Sequence, residues 1–305
     1  MKLKFNVTGK CQADPFIFAD GDKLYLYVTA RDGVEAYSAT DLFGEWKYEG
    51  VVGCVEGWHD YWAPSVIKYE DKYYIYVSCA TDGKFEYMHV MESDSPLGPF
   101  GNGKCLYDFF SIDSHIVRTD AGLFLWFAKN NTDCARKGTR IYVDKMLDPY
   151  TPEHKESEMI VPTFDEEFFT PQCTETDKWH TIEGPFWLEK DGYQYVMYSG
   201  GCYQDDTYHI GYAYEETCEQ DHTRLDLMKK TNGDRFAPVI IKNSFEEGTG
   251  HHSVIKYKGE WYAVYHARDY EAMESDEYSE RRTARVCKLH IENGEISAER
   301  YEDRV

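Results

Sequence analysis

The sequence lacks several features that would assign it to common protein classes. Basic residues are scarce, because 33 Lys and Arg stand against 55 Asp and Glu, which gives a formal net charge of −22 at pH 7. A nucleic-acid partner requires a basic face, so this charge argues against one, whereas it leaves a neutral ligand such as a sugar open. No apolar run reaches the length of a secretory signal or of a bilayer-spanning helix. We therefore expect no membrane partner.

Paired cysteine motifs are also absent. The nine cysteines are odd in number and widely spaced, and no CxxC pair occurs among positions 11, 54, 79, 105, 134, 173, 202, 218 and 287. This pattern is typical of free thiols in a reducing compartment and argues against both a disulfide framework and a zinc site. We therefore predict a cytoplasmic protein.

Aromatic residues, by contrast, are abundant. The chain has 26 Tyr and 16 Phe, and aromatics make up 16% of its 305 residues. Tyr and Phe favour pleated, half-buried surfaces, and all-β domains often exceed 200 residues as one unit. No boundary or low-complexity linker interrupts the chain. The sequence thus predicts an all-β protein with a single domain over residues 1–305.

One hairpin pattern recurs five times along the chain. Each copy has a short apolar strand, a polar turn of two or three residues, and a second strand of aromatic and β-branched residues. The five copies begin near Asp14, Ala63, Asp113, Glu183 and His251.

Further strand-like segments separate the copies, which gives about four strands per unit. They lie at residues 33–37, 45–51, 85–92, 140–144 and 208–214, and a closing hairpin turns at Asn293-Gly294. Five units of four strands predict a five-bladed β-propeller with a central active-site funnel. A β-sandwich, the other all-β architecture of this length, does not explain the long period.

Two long acidic loops and the amino-terminal segment complete the predicted architecture. We expect the loops at residues 150–180 and 269–280 to form walls of a binding site, since long loops on one face of a rigid scaffold commonly do so. Residues 4–8 either pair with the last blade to close the ring or leave it unlatched.

The residues that start the five copies should converge on the propeller axis. Three of them are acids (Asp14, Asp113 and Glu183), and the other two copies supply Trp62 with Ala63, and His251. Hydrolysis of a glycosidic bond requires one carboxylic acid for the leaving oxygen and one carboxylate for the water or the sugar carbon. A third carboxylate nearby would raise the pKa of the acid.

Three of these residues also have an ordinary structural interpretation. Asp14 before a proline can open a turn, Asp113 can cap one, and His251 can be a core histidine. Glu183 before Gly-Pro has no such local role. Three acids at the same phase of one repeat nevertheless favour a shared site.

The ordered set of motifs resembles glycoside hydrolase family 43, the five-bladed propeller enzymes that cleave arabinofuranosides and β-xylosides. The motifs are Ala13-Asp14-Pro15, Trp62-Ala63-Pro64-Ser65-Val66, Ile112-Asp113-Ser114, Ile182-Glu183-Gly184-Pro185 and Gly250-His251-His252-Ser253-Val254. The resemblance implies that Asp14 is the general base, Glu183 the general acid, and Asp113 the residue that tunes the acid and orients the sugar. It also implies inversion of the anomeric centre.

The resemblance extends to substrate-binding residues. It implies that Trp62 stacks on a sugar face beside Ala63, and that Arg282 reaches into the site from the last blade, although Arg281 and Arg285 compete for this register. His251 resembles a channel histidine that in many members lies near a calcium ion held largely by water. No cofactor is required, and a structural calcium ion stays open.

The sequence therefore predicts an inverting, exo-acting glycosidase that releases α-L-arabinofuranose, β-D-xylose or both from neutral, hemicellulose-derived pentose oligosaccharides. An arabinanase acting on α-1,5-linked arabinan is a related alternative. A non-catalytic sugar-binding propeller is an alternative of another class. Retaining fructosidases of family 32 are disfavoured, because their pattern places Cys after the acid and this chain has Gly184. The oligomeric state is not predicted.

Overall fold

In the computed structural model, five antiparallel sheets stand side by side around a central axis, which confirms the predicted five-bladed propeller. The structure describes residues 1–81, 83–174, 177–270 and 281–301. Within these residues no α-helix occurs, and none of the short helical turns is long and apolar enough to cross a membrane.

The first three blades run in chain order from the amino terminus. Blade 1 contains β1 (Lys4–Phe5), β2 (Phe16–Asp20), β3 (Lys23–Val28), β4 (Val34–Ala39) and β5 (Glu45–Gly53). Blade 2 contains β6 (Trp58–Tyr69), β7 (Lys72–Thr81), β8 (Lys84–Ser93) and β9 (Gly101–Cys105). Blade 3 contains β10 (Ser111–Thr119), β11 (Gly122–Asn131), β12 (Gly138–Asp148), β13 (Thr151–Pro152) and β14 (Ser157–Ile160).

Two further blades and a small hairpin complete the ring. Blade 4 contains β15 (Ile182–Lys190), β16 (Tyr193–Gly200), β17 (His209–Glu216) and β18 (Met228–Lys229). A separate hairpin joins β19 (Thr231–Asn232) to β20 (Arg235–Phe236). Blade 5 contains β21 (Glu246–Tyr257), β22 (Glu260–Asp269), β23 (Thr283–Glu292) and β24 (Glu295–Glu299). Short 3₁₀ turns lie at Asp165–Glu167, Thr170–Gln172 and His222–Arg224.

The hydrophobic core is divided into five layers, one between each pair of neighbouring blades. The layer between blades 3 and 4, for example, buries Trp126, Ile182 and Val196 completely. Large apolar side chains at alternate strand positions face a neighbouring sheet, and each contributes about 1.5–3 kcal/mol when fully buried. The abundant Tyr and Phe of the sequence thus belong to the interfaces between blades.

The amino-terminal segment closes the ring by bridging the last blade and the first. The N–H of Leu3 donates to the carbonyl of Ala284 in β23 (3.0 Å), and the N–H of Val286 donates to the carbonyl of Met1 (2.8 Å). Immediately afterwards, β1 pairs in parallel with β5 of blade 1. The ring is therefore closed, but residues 1–3 and not residues 4–8 pair with the last blade. Lys4–Phe5 extend blade 1 instead.

The innermost strands, β2, β6, β10, β15 and β21, surround the axis, and each carries or follows one residue in the left-handed region of backbone space. The φ angles there are 52° for Asp14, 46° for Ala63, 61° for Asp113, 57° for Gly184 and 41° for His251. In blades 2 to 5 this residue lies at a break in the strand register. Such bulges redirect the chain and re-aim side chains, here toward the mouth of the axial channel.

Candidate active site

A pocket of about 720 Å³ opens at the end of the axis where the five left-handed residues lie. Asp14, Asp113, Glu183 and His251 line it together, although they come from four different blades. The predicted convergence of these side chains is therefore present in the structure.

The carboxylate of Asp14 is held by groups that favour its charged form. Its Oδ2 accepts a hydrogen bond from the hydroxyl of Thr29 (2.5 Å), and its Oδ1 lies 3.4 Å from both Nη1 of Arg282 and Nδ1 of His251. Burial alone would raise the pKa of Asp14, but His251 and Arg282 outweigh burial and hold this pKa well below its usual range. Burial also lowers the pKa of His251, so Arg282 is the lasting positive charge at neutral pH.

Asp113 and Glu183 form a pair in the opposite electrostatic situation. They and His251 each offer a ligand atom within 4.8 Å of the others. Burial and the charge of Glu183 raise the pKa of Asp113 well above its usual range. Burial and the charge of Asp14 raise the pKa of Glu183 to about 7, against the opposing effect of a hydrogen bond from Tyr208. The pair therefore retains a proton close to neutral pH, which a carboxylate pair in low dielectric commonly does.

Two hydrogen bonds orient this carboxyl pair. The hydroxyl of Tyr208 donates to Oε1 of Glu183 (2.6 Å), and the N–H of Gly184 donates to Oδ2 of Asp113 (3.0 Å). Tyr208 approaches so closely that a Cβ at Gly250 would lie 2.0 Å from its ring. Gly250 therefore makes room for the tyrosine that positions Glu183.

The repeat phase of Glu183 differs from the prediction. Glu183 lies one residue before the left-handed position, which Gly184 occupies, whereas Asp14 and Asp113 occupy that position themselves. The prediction that all three acids share one phase was therefore wrong. The chain changes direction at the left-handed residue. Asp14 and Asp113 are that residue in their blades, whereas Glu183 precedes it and is still paired with Ser199 of the neighbouring strand.

Of the predicted binding residues, Trp62 and Arg282 line the pocket. Arg282 is the arginine of its segment that faces Asp14, whereas Arg285 binds Glu246 and Asp269. The ring of Trp62 meets that of Phe85 edge-on, with centroids 5.5 Å apart. Ala63 is buried beneath the wall instead, and its N–H donates to the hydroxyl of Thr29 (2.8 Å), which in turn donates to Asp14.

The cavity that continues the channel below the site is a poor fit for a hydrated calcium ion. It is lined by His251, His252 and His115 among others, and its volume is about 10 Å³. One water molecule already needs a cavity of about that size, and calcium takes about six to eight oxygen ligands. The side chains there include the buried imidazoles of His115 and His252, so they are not an oxygen-ligand set. No step proposed below uses a metal.

The loop at residues 150–180 does not form the wall that the sequence predicts. None of its described residues lines the pocket, although Phe169 lies 6.2 Å, centroid to centroid, from the ring of Tyr203, which does. The loop therefore contacts a pocket residue but does not itself line the pocket. The second predicted wall, residues 269–280, lies outside the described residues from 271 onward.

Several residues of the site carry no local sequence signal. Thr29, Tyr203 and Tyr208 lie in strands or loops of other parts of the fold and come to the pocket only through the propeller. His266 accepts a hydrogen bond from the N–H of Asp14 at its Nδ1 (3.1 Å). The sequence places His266 at the end of the fifth hairpin copy, but it does not indicate that Asp14 is its partner.

The fold and the pocket together define a class of protein: β-propeller glycoside hydrolases in which carboxyl groups from different blades supply the acid and the base. The family model of the glycosyl hydrolases family 43 matches residues 6–296 of the sequence. The chain belongs to this family.

Similar proteins include curated relatives and solved structures. The chain is 23% identical to a xylosidase/arabinosidase of Bacteroides ovatus, over 95% of this chain and 94% of that protein. It is 22% identical to an arabinoxylan arabinofuranohydrolase of Paenibacillus polymyxa, but it spans only 50% of that longer protein. A crystal structure of a thermostable family-43 glycoside hydrolase superimposes with a TM-score of 0.81 at 26% identity, covering 99% of this chain and 96% of that one.

Proposed function

We propose that this protein is an inverting, exo-acting glycosidase that releases α-L-arabinofuranose, β-D-xylose or both from short neutral pentose oligosaccharides. The observation that carries the proposal is the separation of two carboxyl pKa values within one pocket. His251 and Arg282 hold the pKa of Asp14 well below its usual range, whereas burial and the charge of Asp14 raise the pKa of Glu183 to about 7. Two carboxyls with opposite protonation states are what acid–base cleavage of a glycosidic bond requires.

The proposed reaction is a single displacement. Asp14 accepts a proton from a water molecule as the water oxygen attacks the anomeric carbon, and Glu183 donates its proton to the leaving glycosidic oxygen. The bond between the anomeric carbon and that oxygen breaks, so the products are a sugar of inverted configuration and a shortened oligosaccharide. Asp14 ends protonated and Glu183 ionised, and exchange with solvent restores both.

Substrate recognition rests on the remaining pocket residues. Trp62 offers an apolar ring for a sugar face, and Arg282 offers N–H donors to hydroxyl groups. The names of the Bacteroides and Paenibacillus relatives support arabinose and xylose as the sugars released. We therefore expect the pocket to bind a neutral sugar.

The direct test is hydrolysis of para-nitrophenyl α-L-arabinofuranoside, para-nitrophenyl β-D-xyloside and linear α-1,5-arabino-oligosaccharides. We expect release of a single pentose from a chain end, with the inverted anomer appearing first by ¹H NMR. A first product of retained configuration would contradict the role of Asp14.

Two other functions are outcomes of the same test. Rapid cleavage of internal bonds in arabino-oligosaccharides would indicate an arabinanase instead. Binding of these sugars by calorimetry without any turnover would indicate a non-catalytic sugar-binding propeller.

A further inference from the structure

The guanidinium of Arg282 contacts the ring of Tyr203 as well as the carboxylate of Asp14. Its central carbon lies 4.9 Å from the centroid of the Tyr203 ring, while its Nη1 lies 3.4 Å from Oδ1 of Asp14. A planar guanidinium packs well on an aromatic face, which restricts its orientation. The position of this cation relative to Asp14 therefore depends on where the Tyr203 ring is held.

Tyr203 belongs to the loop at residues 201–207 between β16 and β17, and one buried arginine holds that loop. Nη1 of Arg268 donates to the carbonyl of Tyr203 (2.6 Å), and its Nη2 donates to the carbonyl of Asp205 (2.9 Å). Two backbone carbonyls of a loop from blade 4 are thus fixed by one guanidinium from blade 5. The fork-shaped guanidinium reaches these two separate acceptors with two different nitrogens.

Arg268 is itself fixed by Glu247. Its Nε donates to Oε1 (2.6 Å) and its Nη2 to Oε2 (3.0 Å), and both side chains are fully buried. The guanidinium also occupies space that a side chain would need at Gly248, where a Cβ would lie 2.2 Å from Nη2. A buried ion pair is weak support for stability, because its desolvation cost offsets much of its attraction. A geometric role explains its presence better.

We propose that Glu247 and Arg268 are positioning residues, which hold Tyr203 through the loop at residues 201–207 and so keep the guanidinium of Arg282 at Asp14. The catalytic consequence rests on the function proposed above, since it matters only if Asp14 acts as an ionised base. The geometric claim, that a buried pair outside the pocket controls a cation inside it, stands on the contacts themselves.

The effect is measurable because Arg282 acts on both carboxyls. It lowers the pKa of Asp14 and also that of Glu183. The other titratable groups that face Asp14 are His251 and His266 from blade 5, Asp113 from blade 3, and Glu183, Tyr203 and Tyr208 from blade 4. If Arg282 moves away, both carboxyl pKa values rise together, whereas general loosening of the fold has no such signature.

The experiment compares Tyr203→Ala with Tyr203→Phe, and Arg268→Lys with Arg224→Lys. Tyr203→Ala removes the supporting ring and Tyr203→Phe keeps it. Lysine at position 268 keeps the charge but replaces three donor nitrogens with one, so it cannot keep all the contacts to the two carbonyls and the carboxylate. Arg224 is an exposed arginine outside the pocket. The readouts are the alkaline limb of kcat/KM against pH, which follows Glu183, and a ¹³C NMR titration of the Glu183 carboxyl, whose pKa is about 7, assigned with Glu183→Gln.

In Tyr203→Ala and Arg268→Lys, we expect the Glu183 pKa to rise by about one unit and the alkaline limb to move to higher pH, because Arg282 lowers this pKa. Tyr203→Phe should keep the Glu183 pKa of the wild type, and Arg224→Lys should leave the whole profile unchanged. A Glu183 pKa that stays at its wild-type value in Tyr203→Ala overturns the proposal, whether or not the melting temperature falls.

Failure of the proposed function has a different outcome. A wild-type protein that hydrolyses none of the pentosides refutes the glycosidase assignment, yet the NMR titration still decides whether Tyr203 controls the cation at Asp14. If Arg268→Lys does not fold, Tyr203→Ala alone decides the matter, because its side chain is half-buried and lies at the pocket surface.

Discussion

Asp14 and Glu183 line the same pocket, yet their surroundings push their pKa values in opposite directions. Asp14 faces the guanidinium of Arg282 and accepts a hydrogen bond from Thr29, whereas Glu183 faces two other carboxyls. Burial raises the pKa of both, so neighbouring charge and not burial distinguishes them. The comparison shows how a single pocket shifts two carboxyl pKa values in opposite directions.

The difference originates in which blades meet at each carboxyl. The cation beside Asp14 comes from blade 5, which adjoins blade 1 because the ring closes there. The carboxyl beside Glu183 comes from blade 3, its neighbour in chain order. Residues from the two ends of the chain therefore form the side of the pocket that holds the Arg282 cation. Residues from the middle of the chain form the side that holds the carboxyl pair of Asp113 and Glu183.

The largest expected effects come from removing either carboxyl. Asp14→Asn should lower kcat by about 10²–10⁴-fold on every substrate, since the base acts on water whatever the leaving group is. Glu183→Gln should cause a loss of that size on oligosaccharides but a much smaller loss on a 2,4-dinitrophenyl glycoside, whose leaving group hardly needs protonation. Steady-state kinetics on both substrates measure the difference.

The control for these variants is Asp226→Asn, a change at an exposed acid outside the pocket, which should leave both rates unchanged. Equal losses on both substrates for Glu183→Gln would remove Glu183 from the role of acid. Interchanged patterns for the two variants would exchange their roles.

A smaller effect is expected from pH. Activity requires the proton on Glu183, whose pKa is about 7, so kcat/KM should fall about tenfold per unit as the pH rises well above that value. The hydrogen bond from Tyr208 lowers this pKa, so Tyr208→Phe should move the alkaline limb to higher pH.

Thr29→Val is the matched change on the side of Asp14, because it removes the hydroxyl that donates to that carboxylate. It should leave the alkaline limb in place. A limb that moves to lower pH in Tyr208→Phe would mean that Glu183 does not control it.

A third change tests the left-handed residue next to Glu183. Gly184→Ala should cost about 1–2 kcal/mol in the free energy of unfolding, because alanine at a φ of 57° is strained. Its Cβ would also lie 3.4 Å from the ring of His251, which faces Asp14, so kcat/KM should fall a few-fold as well.

Gly192→Ala provides the control for this strain. Its φ is 82°, and its Cβ would meet no other atom within 4 Å. Denaturant unfolding should show losses of similar size for the two variants, with full activity retained only in Gly192→Ala. Equal activity in both would mean that the contact with His251 has no influence on the pocket.

The smallest expected effect is that of metal removal. Because the channel cavity of about 10 Å³ is a poor fit for a hydrated calcium ion, dialysis against EDTA should change neither kcat/KM nor the melting temperature. A fall in either value that added Ca²⁺ restores would show that a metal contributes to the site after all.

Much of the fold followed from local patterns. Apolar and polar residues alternate in each hairpin and each turn carries an Asp or a Gly, so each blade could be predicted from its own segment. Asp14 and Asp113 were predicted through the same repeat. The phase of Glu183 was not, because a bulge of one residue is invisible in a pattern of apolar strands and turns.

The support around the carboxyls could not be predicted, for a related reason. Tyr208 is one of 26 tyrosines and Thr29 one of many hydroxyl residues, and neither belongs to a motif. The same holds for the pair of Glu247 and Arg268, whose partner atoms are backbone carbonyls in another blade. Such contacts join residues that are distant in the chain. Arg268 and Tyr203 are 65 positions apart, and Thr249 and Tyr208 are 41 apart.

By itself the sequence determined the all-β class, the five repeated units and the three acids that lie at their starts, because each of these depends on residues close together in the chain. The tertiary structure alone decided which acid keeps its proton. A pKa depends on charges within a few ångströms, and those charges reach Asp14 and Glu183 from other blades. Closure of the ring by residues 1–5 was decided in the same way, because the partner strands are the last blade and the first.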